Sequence, residues 1–498
     1  MRSALFAILF FFIASPTWCQ FDVPLRLEAE WCYEDVLELY DVLMESHPHP
    51  DFYVPMDSID LAFDRLFTYC EGEGSITAVD FFALLAEALG SLHDSHVTLP
   101  VRDILDWYLM EGCYYSPFQT IRIDESTSNA FGQVIIKGDW EDKLPRGAEL
   151  IAINGIPVRE DYAYALKFAT FEGEARHSAL QDAAQLIPVL HGLRNPYDTL
   201  NAITVRELNA PHDTTIFLRG LDAKGFRVGE KLRRKTHGWK MTDEIDYSVD
   251  SLRNVGYLKV STFDPSFYGA FFRELDYAFQ EFNEEKVKAV VIDLRGNRGG
   301  AGQQVEQLYA FIDPRGCLTP NNTIWLKSHL ATQFSWYMNH PKWLNFEYFF
   351  DPESETLNLF QQLKPLDFGE ADTVYHSEAT VQDRHVYTGP CYLLIDGQSA
   401  SASVDFTHHF KSKRRGVVVG EPCNGSMRGT FGNATMHRMI FNWLRVFIPT
   451  IRYNYDNTFK VEQEPIQPDH RIPMKHADYV HGVDTQLEYI YHLIDQLK

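Results

Sequence analysis

One unit occurs twice in this chain and narrows its fold more than anything else: a continuous apolar run, a turn of small residues, then an apolar stripe at helical spacing. The first copy runs from Val287 to Leu294 into Asp293-Leu294-Arg295-Gly296-Asn297-Arg298-Gly299-Gly300, with Val305, Leu308 and Ile312 beyond it. The second runs from Cys391 to Ile395 into Asp396-Gly397-Gln398-Ser399-Ala400-Ser401-Ala402-Ser403, and Ser401 to Lys411 reads as its helix. Strands that are apolar on both faces belong to a sheet covered on both sides, the usual setting of parallel strands. Val255 to Phe263 and Val417 to Val419 read as further strands. Phe271, Phe272, Leu275, Ala278, Phe279 and Phe282 make a helical stripe between them. The C-terminal half is therefore expected to be α/β.

The first half has a different texture. Glu28 to about Leu99 carries helical periodicity, and Thr77-Ala78-Val79-Asp80 resembles a capping box ahead of Phe81, Leu84, Leu85, Ala88, Leu89 and Leu92. β-Branched residues and Pro100 close that helix near His93-Asp94-Ser95-His96-Val97-Thr98-Leu99, which puts His96 on a loop or strand edge. From Cys113 to Gly220 short strands alternate with turns, among them Gln133 to Lys137 and Ala148 to Ile153, with Asn154-Gly155 between strands. Lys224, Arg227, Lys231, Arg233, Arg234 and Lys235 read as a solvated linker or hairpin, and the aromatic-rich stretch from about 314 to 387 reads as an insertion. The domain expectation is a helical region over 20–112, a β module over 113–220 and an α/β domain over 221–498.

Arg2 followed by the apolar run Ala4 to Ala14 has the length of a secretory signal core and is short for a membrane span, so residues 1–19 are expected to be a signal peptide cut between Ser15 and Gln20. Cys19 invites a lipoprotein reading, but Pro16-Thr17-Trp18 lacks the small apolar residues that precede a lipidated cysteine. No other run is long and apolar enough to span a bilayer, and the expected location is periplasmic or extracellular. Cys32, Cys70, Cys113, Cys317, Cys391 and Cys423 are scattered, with no CxxC pair to suggest zinc or redox work. The net charge is −24, from 69 Asp and Glu against 45 Lys and Arg. A surface so negative repels phosphate backbones, so nucleic acid is excluded as a partner.

Two segments carry chemistry. A glycine-rich turn such as Gly296 to Gly300 presents backbone N–H groups to a cleft; it lacks the lysine and spacing of phosphate loops. A serine at a strand-to-helix turn exposes its hydroxyl beside helix N-terminal amides that hold a developing oxyanion, the arrangement of an acyl-transfer nucleophile. The plain alternative is a set of helix-capping serines. His93, Asp94 and His96, with His408-His409, lack the spacing of a zinc peptidase, so no metal or other cofactor is expected.

Taken together, DLRGNRGG, SASAS and Gly420-Glu421-Pro422 resemble the C-terminal processing peptidases and tricorn-core peptidases, serine enzymes whose catalytic domain has a crotonase-like β/α core. Leu144 to Val158, LPRGAELIAINGIPV, resembles the middle of a PDZ domain, without a clear carboxylate-binding loop upstream, and LHDSHVTL extends the likeness. The resemblance implies an exported serine peptidase with Ser401 as nucleophile and Ser399 or Ser403 as neighbours. Ser426 stands where processing peptidases keep their lysine base, so the base falls on His96, as in the tricorn-like branch, with Ser95 and Glu462 completing a tetrad and Glu464 as runner-up. Ala402 with Gly299 or Gly300 would supply the oxyanion amides. Peptides or proteins are the implied substrates. Two other readings are a non-catalytic relative that binds peptide or lipid, and an acyl-CoA enzyme, which export argues against.

Overall fold

A computed structural model describes residues 25–72, 74–124, 132–225, 245–264, 268–316, 322–332, 363–375, 385–455 and 465–496. The chain is a mixed α/β protein. Its first part packs helices α1 (Ala29–Ser46), α2 (Met56–Cys70), α3 (Ala78–Gly90) and α4 (Val101–Met110). Helix α3 begins after Thr77, whose hydroxyl donates to the Asp80 carboxylate and not to a backbone group, so only half of the expected capping box forms. Phe81, Leu85, Ala88 and Leu89 are fully buried, as their spacing requires.

An antiparallel sheet follows, in the order β1 (Phe118–Ile123), β2 (Gln133–Asp139), β3 (Glu149–Ile153), β4 (Leu200–Arg206), β5 (Thr214–Arg219). Helices α5 (Val158–Ala165) and α6 (Arg176–Arg194) lie between β3 and β4 in the chain. One continuous core joins this sheet, α6 and the N-terminal helices: Leu85, Phe118, Ile136, Ile187 and Ile203 all belong to it.

The C-terminal part is built on β6 (Ile245–Asp250), β7 (Val255–Val260), β8 (Ala289–Asp293), β9 (Cys391–Ile395), β10 (Val417–Gly420) and β11 (His470–Arg471), adjacent in that order. All neighbours are parallel except the edge pair β6–β7. Every residue of β8 and β9 is buried, because helices cover both faces. Helices α7 (Tyr268–Glu284), α8 (Gly302–Ala310) and α9 (Ala402–Ser412) pack one face through Phe279, Leu308 and Phe406. Helix α10 (Thr485–Asp495) packs the other through Ile490 and Ile494.

Residues 322–326 and 371–375, from the expected insertion, form strands of a smaller antiparallel sheet completed by 429–432 and 451–454. The rest of that stretch, between 333 and 362, lies outside the described residues. Most of the basic cluster from Arg227 to Lys235 does too. A hairpin of 435–438 and 445–448 then reaches back to the N-terminal region. There Thr98 and Phe447 exchange both backbone hydrogen bonds, at 3.1 and 2.9 Å. Among the described residues no helix is long and apolar enough to cross a membrane.

Candidate active site

β8 and β9 are parallel neighbours, with Asp293 opposite Leu394, so the glycine turn after one and the serine turn after the other leave the sheet side by side at its C-terminal edge. Asn297 ties the two turns together. Its backbone oxygen accepts Ala400 N–H and the Ser403 hydroxyl, its Oδ1 accepts Gly299 N–H, and its Nδ2 donates to Val260 O. Ser399 is equally occupied, donating to Leu294 O at 2.8 Å and accepting Asp396 N–H. Both flanking serines are fully buried and spent on backbone. Ser401 differs: it holds φ 52°, ψ −120° at the entrance to α9, a strained conformation that turns its side chain out of the helix register.

Gly299 must be glycine. At φ +100° a Cβ there would lie 2.6 Å from Ser401 Cβ and 2.9 Å from Ala402 N. The backbone around Gly300 bridges Phe263, Phe263 N–H to Gly299 O and Ala301 N–H to Phe263 O, so the Gly300 amide faces away from Phe263. Ala402 N–H is a first-turn amide of α9, with no partner inside the helix. The Gly299 amide, one of the expected oxyanion donors, is already taken by Asn297 Oδ1 at 2.9 Å; the open amides are those of Gly300 and Ala402.

The histidine arrives from the other end of the chain. His96 Nε2 lies 3.1 Å from Ser401 Oγ. The Thr98–Phe447 bridge holds its segment, as does Gly173 N–H donating to His93 O at 2.9 Å. Asp94, buried to 1% exposure, accepts His96 N–H at 2.8 Å and faces His96 Nδ1 at 3.2 Å through the same Oδ1. Its Oδ2 meets His47 Nε2 at 2.9 Å. His47 Nδ1 accepts His49 N–H, so the His47 proton must sit on Nε2 and point at Asp94. A hydrogen-bonded line His47–Asp94–His96–Ser401 results, drawn from three remote parts of the sequence.

Glu172 stands behind it. Its Oε2 is 4.0 Å from His96 Nδ1 and accepts the Ser95 hydroxyl at 3.2 Å, and its Oε1 accepts the Tyr53 hydroxyl at 2.7 Å. Glu172 N–H donates to Asn424 Oδ1, which joins this loop to the serine turn. Asp405, in the first turn of α9, accepts the Tyr455 hydroxyl.

Burial alone would raise the Asp94 carboxyl, but hydrogen bonds from His47 and His96 outweigh it and hold the group well below the ordinary range. Burial opposes protonation of His96, yet Asp94, with the charges of Glu172 and Asp405, leaves its pKa raised. Burial pushes Glu172 up to about 7 against the pull of His96. Burial and the Glu172 charge push Asp405 up to about 7.

Of the residues named from sequence, Ser401, His96, Ala402 and Gly300 come together. Ser95 is adjacent, but its hydroxyl goes to Glu172 and not to the imidazole. Glu462 and Glu464 lie outside the described residues. Asp94, His47, Glu172 and Asn297 were not singled out for these positions. The Asp-x-His spacing is the one local signal that points to Asp94. His93 turns away and packs on Phe171, ring centroids 4.5 Å apart. Among the described residues no group of three or more His, Cys, Asp or Glu is arranged to hold a metal.

Residues 254–472 match the sequence model of Peptidase family S41. No curated protein sequence matches the chain. Among solved structures, mature CPAF complexed with lactacystin aligns with a TM-score of 0.63 at 13% identity, over 94% of this chain and 99% of that one. Mature CPAF without that ligand in its description aligns equally well, at 13% identity over 94% and 98%. The photosystem II D1 C-terminal processing protease aligns at 14% identity with a TM-score of 0.43, over 94% of this chain and 98% of that one.

Proposed function

We propose that this chain, a serine-type peptidase of family S41, cleaves peptide bonds with Ser401 as nucleophile and His96 as its base, oriented by Asp94. A serine hydroxyl is a poor nucleophile until a neighbour takes its proton. Asp94 Oδ1 at Nδ1 keeps the His96 proton there, leaving the Nε2 lone pair aimed at Ser401 Oγ. As Oγ attacks the scissile carbonyl carbon, its proton passes to Nε2, and the imidazolium that forms faces the Asp94 carboxylate. The carbonyl oxygen, now an oxyanion, is received by the Gly300 and Ala402 amides. The same Nε2 proton then goes to the leaving amine, the tetrahedral intermediate collapses to an acyl-enzyme, and water repeats the sequence to free Ser401.

The 3.1 Å approach of His96 Nε2 to Ser401 Oγ, across 305 residues of chain, carries this reading. We further read the six-stranded sheet with its helices as a crotonase-like core. The antiparallel module over 113–220 is read as PDZ-like, and residues 1–19 as a signal that exports the enzyme to a periplasmic or extracellular location. The test is covalent labelling by a fluorophosphonate. Wild type should gain one adduct on the peptide containing Ser401, and Ser401→Ala and His96→Ala should each lower kcat by roughly 10⁶ if the pair acts as a unit. Undiminished hydrolysis by Ser401→Ala would end the proposal.

A further inference from the structure

Beside the active site, the loop between α1 and α2 presents Phe52 to two guanidinium groups. Arg452 lies over the Phe52 ring at 4.1 Å; Arg428 lies over Phe52 at 5.1 Å and over Tyr53 at 5.7 Å. Tyr53 is the residue whose hydroxyl reaches Glu172 and Gly429 O. Phe431, the cross-strand partner of Arg452, packs on His47 with ring centroids 4.6 Å apart. The cationic pair is therefore one side chain removed from the His47–Asp94–His96 line.

The state of Arg452 is unusual. Among the described residues no carboxylate lies within ion-pair distance of it. Its Nη1 donates instead to His49 Nδ1 at 2.7 Å, and its Nε is buried without a hydrogen-bond partner. The neighbouring charge that bears on it most unfavourably is Arg428. In a chain of net charge −24, acidic side chains are abundant, yet this half-buried guanidinium has none. Two guanidiniums side by side repel, and the aromatic faces that hold them offset only part of that cost. A planar fork stacked on a ring is the arrangement that receives a carboxylate in two parallel hydrogen bonds.

We propose that Arg452, with Arg428 beside it, is a subsite for a carboxylate of the peptide substrate, so that the enzyme selects peptides carrying an acidic side chain or a free C-terminus at a fixed distance from the cut bond. This rests on the peptidase reading of Ser401 and adds a specificity that the reading does not require.

The experiment begins by mapping cuts in a mixed peptide library with wild-type enzyme, then compares matched substrates: Glu against Gln at the selected position, and free acid against amide at the C-terminus. The first pair identifies a side chain as the source, the second a chain end. Wild type should prefer one charged member by about 10- to 100-fold in kcat/KM, mainly through KM. Arg452→Met should erase that ratio and Arg452→Lys should retain part of it, with the rate of fluorophosphonate labelling at Ser401 unchanged. Equal cleavage of both matched pairs by wild type overturns the subsite whether or not any variant folds, as does a ratio that survives in Arg452→Met. Absence of labelling at Ser401 in wild type defeats the peptidase reading instead.

Discussion

Replacing Asp94 by Asn tests how the base is held, because the carboxylate serves three donors and an amide can serve only some of them. Oδ1 accepts both His96 N–H and Nδ1–H, and Oδ2 accepts His47 Nε2–H. With the new NH₂ toward His96, it would collide with a backbone donor that cannot move. The imidazole would have to shift its proton to Nε2, the wrong tautomer for taking one from Ser401, and rates would fall by about 10⁴. With the NH₂ toward His47, that ring need only move its proton to Nδ1, giving up the bond from His49 N–H, a part-buried donor that water can reach. The second orientation is the less costly. His96 then keeps its tautomer and loses only the facing charge. A unit charge about 4 Å away at an effective dielectric of about 20 is worth roughly 4 kcal/mol, so kcat should fall by about 10³. The pseudo-first-order rate of fluorophosphonate labelling at Ser401 measures this without a known substrate. A fall of tenfold or less would refute Asp94 as the orienting group. A fall of 10⁴ or more would show that the amide had taken the other orientation.

Three further outcomes are expected. His96 must be neutral to act as a base, and Asp94, Glu172 and Asp405 favour its charged form; His47 faces the far oxygen of Asp94. The acid limb of the labelling-rate profile should therefore lie above the ordinary histidine value of about 6.5 and move down in Asp94→Asn. Asp405, raised to about 7, holds more protons in the folded than the unfolded chain between its ordinary value and about 7, so its contribution to stability falls as pH rises through that window. Asp405→Asn should accordingly raise Tm more at pH 8 than at pH 5, measured by calorimetry; an equal change at both pH values would contradict it. Gly299→Ala places a methyl group 2.6 Å from Ser401 Cβ and should lose about 1–3 kcal/mol of stability in urea titrations and most of its labelling. Gly296→Ala, with open space around its Cβ, should lose only about 1–2 kcal/mol for its positive φ and keep Ser401 reactive.

What could be read from the sequence was what repeats locally. Apolar runs ending in Gly296–Gly300 and Ser399–Ser403 announce parallel strands and a nucleophile turn, because burial on both faces leaves no polar alternation to hide them. His96 was legible by elimination, since Ser426 cannot act as a base. The supporting groups were not legible. Glu172 sits in a short acidic loop and His47 in a His-Pro-His-Pro stretch, neither with any periodicity, and each matters only through a contact with a distant segment. Asn297 is an ordinary turn residue until Ala400 and Gly299 are seen to hang from it. Conversely, Ser95 was named from its neighbour, and its hydroxyl found a nearer carboxylate.

The backbone bridge between Thr98 and Phe447 has a consequence for how the enzyme comes into being. During synthesis the imidazole leaves the ribosome early and waits while the whole α/β half is made. Ser401 emerges much later, and the hairpin that clamps the His96 segment later still. A nascent or truncated polypeptide ending short of residue 447 thus holds both reacting groups with nothing to bring them together. Cleaving power is acquired only when the two ends of the molecule close on each other, which protects the cell that makes it from its own product.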